Sequence, residues 1–175
     1  MIISVELIRE LVNLDGWTDA KIEMKLKAIE QTIRAYTNNN FQVRTRRKAA
    51  DIVGGLFVCE DAPFAVGDTV QVSESGLNAG LYVVSSVDDS GFSVEEAVDD
   101  ETFVLVTKVE YPADVLACAV NLMEWEAHNR AKVGVQSETL SRHSVTYFNQ
   151  DTANQVMGYP ASLLGCLKPY RKARC

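Results

Sequence analysis

The sequence predicts an α+β protein, a helical bundle of about four helices interrupted by an inserted small β-barrel or sandwich module. Two stretches, from Ile22 to Tyr36 and from Leu116 to Ala127, repeat apolar residues at the three-and-four spacing of one helical face. From Phe41 the period falls to two and turn residues multiply, which is the pattern of short strands, and a compact β module is expected over about residues 50 to 110. Charge marks the same division. Residues 1–48 hold 9 Lys+Arg and 6 Asp+Glu, residues 112–175 hold 7 and 5, and residues 49–111 hold 1 and 13. The expected organisation is therefore a helical domain made of residues 1–49 and 111–175, with residues 50–110 as the inserted β module.

In chain order, residues 5–14 read as a short helix with Ser4 as its N-cap, Ile8, Leu11, Val12 and Leu14 inside, and Asp15-Gly16 as its stop. Thr18 caps a second helix over residues 19–37, whose buried face is Ile22, Leu26, Ile29, Ile33 and Tyr36. Trp17 and Ile22 stand at the two positions of a hydrophobic staple. The run Asn38-Asn39-Asn40 ends this helix, because asparagine tolerates the left-handed conformation. Strands are expected at 56–59, 69–73, 80–87, 92–95 and 103–110, separated by Gly54-Gly55, Gly67-Asp68, Asn78, Gly80 and 88–91. Pro112 suits the first turn of a third helix, which buries Leu116, Val120, Met123 and Ala127 and runs to about Lys132 before Gly134. A strand is expected at 145–148 and a polar loop at 149–155. Pro160 then opens a short last helix with Leu163, Leu164 and Leu167 inside, and Pro169 ends it.

Composition narrows the function. At 175 residues, 47% hydrophobic and 23% charged, the chain is an ordinary globular protein rather than a disordered or coiled-coil one. No apolar run reaches the ~18 residues of a membrane span, and Glu6, Arg9 and Glu10 occupy the place of a secretory apolar core, so neither export nor insertion is expected. Cys59, Cys118, Cys166 and Cys175 are scattered without a CxxC pair, which points to reduced thiols and no disulfide.

Glu124 and His128 share a helical face at i, i+4, as metal ligands do, but no HExxH pattern or third ligand accompanies them, and a solvated face is the simpler reading. His143 lies near Ser137, Ser141 and Ser144 without a GxSxG elbow or an acid in triad relation, which reads as a loop with hydroxyls. Gly54-Gly55 lacks the spacing of a phosphate cradle. Glu95, Glu96, Asp99, Asp100 and Glu101 lack the turn glycine of a calcium loop and read as a solvated face. No catalytic, cofactor or metal residue is assigned, and a non-enzyme is expected. Two basic clusters remain. Arg44, Arg46, Arg47 and Lys48 alternate with uncharged residues, which fits either nucleic-acid binding or an edge strand protected by charge. Lys168, Arg171, Lys172 and Arg174 surround Tyr170 after Pro169, in a tail too polar to fold by itself and suited to docking in an acidic or polar groove.

The helices ending in IEQTIRAYTNNNF, the return helix YPADVLACAVNLMEWEAHNRAKVGVQSETL followed by SRHSVTYF, and the closing GYPASLLGCLKPYRKAR resemble the tailed-phage head-tail connector family of adaptor and head-completion proteins. The resemblance covers roughly residues 4–48 and 111–174, and the inserted module departs from the minimal family pattern. It implies a helical bundle of connector type in a non-enzymatic virion protein. It further implies a ring, a dodecamer, beneath the portal, which joins capsid to tail at the head-tail interface and continues the DNA channel. The portal protein, further copies of the chain and a head-closure or tail protein are the implied partners, with DNA passing unread through the channel. In that family the C-terminal segment docks on the portal, which assigns portal contact to Lys168, Tyr170, Arg171, Lys172 and Arg174. The alternatives are a head-closure or tail-completion protein of the neck, a nucleic-acid-binding regulator using the Arg44 to Lys48 strand, and a metal-assisted enzyme centred on Glu124 and His128.

Overall fold

A computed structural model describes residues 1–129, 137–140, 143–146 and 155–173. It divides the chain into two compact units, one of Met1 with Asn40–Tyr111 and one of Ile2–Asn39 with Pro112–Cys175. Strand structure begins at Gln42, where the period of two sets in, about eight residues before the expected boundary of the β module. As a result Arg44, Arg46, Arg47 and Lys48 belong to the barrel rather than to the helical unit.

The expected helical bundle of connector type is not the architecture the chain adopts. Its dominant structure is a closed six-stranded antiparallel barrel, accompanied by three α-helices and one 3-10 segment among the described residues. The reason lies in the strands. β1 (Gln42–Val53) and β6 (Glu101–Val109) are long enough to pair with each other along most of their length. This joins the two outer strands of the order β1-β2-β5-β4-β3-β6, with β2 Leu56–Val58, β3 Thr69–Ser73, β4 Gly80–Asp88 and β5 Gly91–Val94 between them. Closure satisfies every strand edge within the unit.

The barrel interior is filled from alternate positions. Ala50 and Ile52 of β1 point inward while Ala49, Asp51 and Val53 are exposed, and Val70, Val72, Val84, Val104 and Val106 complete the aliphatic layer. Phe57 stacks on Phe92 with ring centroids 4.7 Å apart, and Phe64 meets Phe92 edge-on at 5.0 Å. Gly91 lies so close to β2 that a Cβ there would stand 1.9 Å from the Phe57 carbonyl oxygen. Only glycine fits at that crossing. Two bulges shape β1. Between Gln42 and Arg47 it carries extra residues against β6, and near Ala50–Ile52 the surplus is on β6, where Phe103 adopts φ 56° and donates its N–H to Asp51 Oδ1 at 2.8 Å.

The helical unit contains α1 (Val5–Leu11), α2 (Asp19–Thr37) and α3 (Ala113–Asn129). Ser4 and Thr18 accept the N-cap hydrogen bonds from Leu7 and Lys21, and Asn38 ends α2 at φ 48°, ψ 38°. Ile22, Leu26, Ile29 and Ile33 of α2 are buried; Tyr36 is only half-buried, and Thr37 takes the inward place after Ile33. Leu11 is exposed, so α1 contributes Ile8, with Val12 and Leu14 following it into the core. On α3 the buried stripe is Val115, Cys118, Ala119, Leu122, Met123 and Glu126, rotated from the expected one, since Leu116, Val120 and Ala127 are only half-buried. Small residues at Cys118 and Ala119 let neighbouring backbone approach there.

The expected short last helix is present as a 3-10 segment that starts at Gly165 rather than at Pro160. Tyr159–Pro160 forms a short β10 paired with β9 (Gln155–Val156), and Gly165–Tyr170 is a 3-10 turn that contains Pro169 instead of ending before it. Pro160 is taken up in β10, and a 3-10 geometry accommodates Gly165 and Pro169 better than an α-helical ladder does. β7 (Ser137–Leu140) and β8 (His143–Thr146) pair antiparallel. The expected helix end near Lys132 and the loop at 149–154 lie outside the described residues. No helix among the described residues is long and apolar enough to cross a membrane.

Candidate functional site

The C-terminal strip that the sequence singles out is laid against its own unit. Its backbone is held at three points near the end of α2. Lys172 N–H donates to the Thr37 carbonyl at 2.8 Å, Asn39 Nδ2 donates to the Tyr170 carbonyl at 3.3 Å, and Asn38 Nδ2 donates to the Ala173 carbonyl at 3.0 Å. The asparagine run that stops α2 therefore also holds the tail, because the left-handed turn at Asn38 leaves these side-chain amides facing a second segment of backbone. Below the strip, Leu164 and Leu167 are fully buried and fix the 3-10 turn in place. The expectation that the tail is disordered by itself is thereby corrected. Too few apolar residues follow Pro169 to form a core, but hydrogen bonding to Thr37, Asn38 and Asn39 supplies the order that burial does not.

With the backbone anchored, the side chains are presented outward. Lys168, Arg171 and Lys172 are exposed, and the Arg171 guanidinium lies over the Tyr36 ring at 5.2 Å, within cation-π range. Tyr170 donates its hydroxyl to the Asp114 carboxylate, whose two oxygens both lie at 2.7 Å. That hydrogen bond holds the phenol above its ordinary pKa, because ionising it would place a second negative charge against Asp114. The result is a preformed cationic surface with two aromatic rings at its base. Arg174 lies outside the described residues.

The other sequence candidates are placed apart from this strip. His128 Nδ1 contacts the Glu124 backbone carbonyl at 2.9 Å, an i−4 helical contact rather than a ligand pair, and no group of three His, Cys, Asp or Glu among the described residues converges as metal ligands would. Glu126, between them in sequence, points into the core instead. Its Oε2 accepts from Lys25 Nζ at 3.0 Å and its Oε1 from the Tyr159 hydroxyl at 2.9 Å, so one carboxylate joins α2, α3 and β10. Glu30 is likewise buried, accepting the Ile2 N–H at 3.2 Å. Sequence periodicity missed both, although each stands where the apolar stripe of its helix would continue. Ser141 lies outside the described residues.

In the barrel, Arg44 and Arg46 are exposed on the bulge of β1 and carry no hydrogen bond or ion pair among the described residues. Arg47 instead donates Nε to Thr107 Oγ1 at 2.9 Å. The opposite end of the barrel is formed by Gly54-Gly55 and the 74–79 and 95–100 loops. It carries Glu74, Glu95, Glu96, Asp99, Asp100 and Glu101 and no Lys or Arg. Part of this acidic set is structural. Asp100 Oδ1 accepts from Gly54 N, and Glu101 accepts from Ser75, Gly76, Leu77 and Asn78, which lowers its pKa to about 2. By unit, the barrel holds 5 Lys+Arg and 13 Asp+Glu and the helical unit 12 and 11. The larger charge contrast is therefore between barrel and helical unit; the barrel end that bears Arg44 and Arg46 also carries Glu60, Asp61, Asp88, Asp89 and Glu110, and only the opposite end lacks Lys and Arg.

No protein-family model matches the chain, and no curated protein matches its sequence.

Proposed function

We propose that this chain is a non-enzymatic structural adaptor of a tailed-phage or prophage neck. It forms a ring beneath the portal, joins capsid to tail at the head-tail interface and extends the DNA channel. The observation that carries this reading is the anchored C-terminal strip, where Lys168, Arg171 and Lys172 project from a backbone tied to Thr37, Asn38 and Asn39. A preordered cationic strip with aromatic support suits docking to a carboxylate-bearing protein groove, since little side-chain and backbone freedom remains to be lost on binding. The order of the flanking sequence motifs supports the family. The barrel's acidic end supports a channel role, because a wall without cations does not hold phosphates tightly. Pairing of the exposed Arg44 and Arg46 of one copy with the cation-free acidic end of the next also favours heterologous packing of copies in a ring. Within the neck, head closure or tail completion is the nearest alternative.

Co-sedimentation with portal rings tests the reading. Wild-type protein attaches, and Arg171→Glu with Lys172→Glu loses at least tenfold in attachment while keeping the wild-type melting temperature. Unchanged attachment of that variant would overturn the assignment.

A second reading rests on Arg44 and Arg46, two exposed cations on the β1 bulge that carry no hydrogen bond or ion pair among the described residues. In that reading the bulge contacts nucleic-acid phosphate, and duplex affinity falls steeply with salt in proportion to the cations engaged. Weak, salt-insensitive duplex binding removes it.

A further inference from the structure

The fold brings together two cysteines that lie far apart in sequence. Cys118 is on the buried face of α3 and Cys166 is exposed in the 3-10 turn, and both thiols donate to one acceptor, the Leu163 carbonyl, at 3.3 and 3.4 Å. The shared acceptor places the two thiols side by side. Cys59, by contrast, is enclosed in the barrel core. We propose that Cys118 and Cys166 are a reactive thiol pair that a small-molecule disulfide, of the oxidised glutathione type, converts into an intramolecular disulfide between α3 and the C-terminal segment.

The order of events follows from exposure. The Cys166 thiolate attacks one sulfur of the small disulfide, breaks its S–S bond and expels one thiolate, which leaves a mixed disulfide on Cys166. Cys118 gives up its proton to solvent and attacks Cys166 Sγ, and the second small thiolate leaves. Two protein thiols are oxidised, one small disulfide is reduced to two thiols, and the two protons released from the cysteines end on those thiols. Burial holds the Cys118 thiol well above the ordinary range, so the second step is the slow one. The bond closes a loop of roughly fifty residues, which restricts the unfolded chain, and it fastens the turn that leads into the cationic strip. This inference stands independently of the portal reading.

The test uses the full chain carrying Cys175→Ser, so that the C-terminal thiol does not compete. The protein is equilibrated with mixtures of reduced and oxidised glutathione, quenched with a maleimide and mapped by peptide mass spectrometry. The expected result is a monomer with linked Cys118 and Cys166 peptides and a free Cys59. Its helical melting transition is raised by about 5 °C or more and returned to the starting value by dithiothreitol. With Cys166→Ser added, at an exposed position that leaves the helical circular dichroism unchanged, both the link and the rise disappear. A stable glutathione adduct on Cys166 with Cys118 still open to maleimide would overturn the proposal. So would a link through Cys59 or between chains.

Discussion

Glu101 organises the acidic end of the barrel because its two oxygens accept from Ser75 Oγ at 2.5 Å, Gly76 N at 2.6 Å, Asn78 Nδ2 at 2.9 Å and Leu77 N at 3.4 Å. Asn78 is buried and extends the arrangement, donating to the Asp99 carbonyl and accepting the Asp99 N–H. With its carboxyl held near about 2 when folded and near about 4.3 when unfolded, Glu101 stabilises the barrel above the unfolded value, and that contribution is lost as pH falls from there through the folded value. Urea midpoints measured against pH should show it. Glu101→Gln lowers the midpoint at pH 7, and its difference from wild type shrinks as pH falls from about 4.3 towards 2. A pH-independent difference would assign the effect to shape alone. Glu126 is the corresponding residue of the helical unit. Glu126→Ala leaves Lys25 and the Tyr159 hydroxyl without their shared acceptor, and a loss of about 3 kcal/mol in unfolding free energy is expected. Neither role is legible in the sequence. Glu101 lies in a run of acids that composition cannot distinguish from a solvated face, and Glu126 stands one turn beyond an apolar stripe with partners 101 and 33 residues away.

At the scale of elements, helices with strong caps and unbroken apolar spacing were legible. Thr18, the 22-26-29-33 stripe and Asn38 all take the places that periodicity assigns them. The rotation of α3 was not, because Cys118 and Ala119 are too small to register in an apolar pattern although both are buried. The positions of the short strands were readable from turn residues. Their closure depends on pairing β1 with β6, a contact between segments about 55 residues apart that no local pattern encodes. The same limit hid the 3-10 turn, where Leu163, Leu164 and Leu167 mimic a helix that Pro169 forbids. Two predictions belong here. Gly91→Ala places a methyl group into the Phe57 carbonyl and should destabilise the barrel by about 3 kcal/mol, read by denaturant unfolding. Truncation after Pro169 removes the Tyr170–Asp114 hydrogen bond and the ties to Thr37 and Asn39, so it should cost about 1–2 kcal/mol as well as portal attachment. A truncated chain with unchanged stability would show that the strip does not rest on α2 in solution.

For the whole molecule, the two compact units divide the work in the proposed adaptor. The helical unit holds the cationic strip, and the barrel offers one end without Lys or Arg and one where Arg44 and Arg46 stand among acidic residues. Isolated subunits should be monomers or weak oligomers, because association of folded subunits must offset several kcal/mol of lost rigid-body freedom, and rings should form at high concentration or on a portal. Arg44→Glu with Arg46→Glu should impair ring formation while leaving the first contact with the portal intact, whereas Arg171→Glu with Lys172→Glu should prevent that contact. The central claim is that the strip docks on a portal. Electron microscopy of the protein mixed with the portal rings of the same phage or prophage tests it most directly. The account predicts a second ring of density stacked on the portal, present with wild type and absent with the Arg171→Glu, Lys172→Glu variant. Bare portals with wild-type protein, or decorated portals with both proteins, would contradict it.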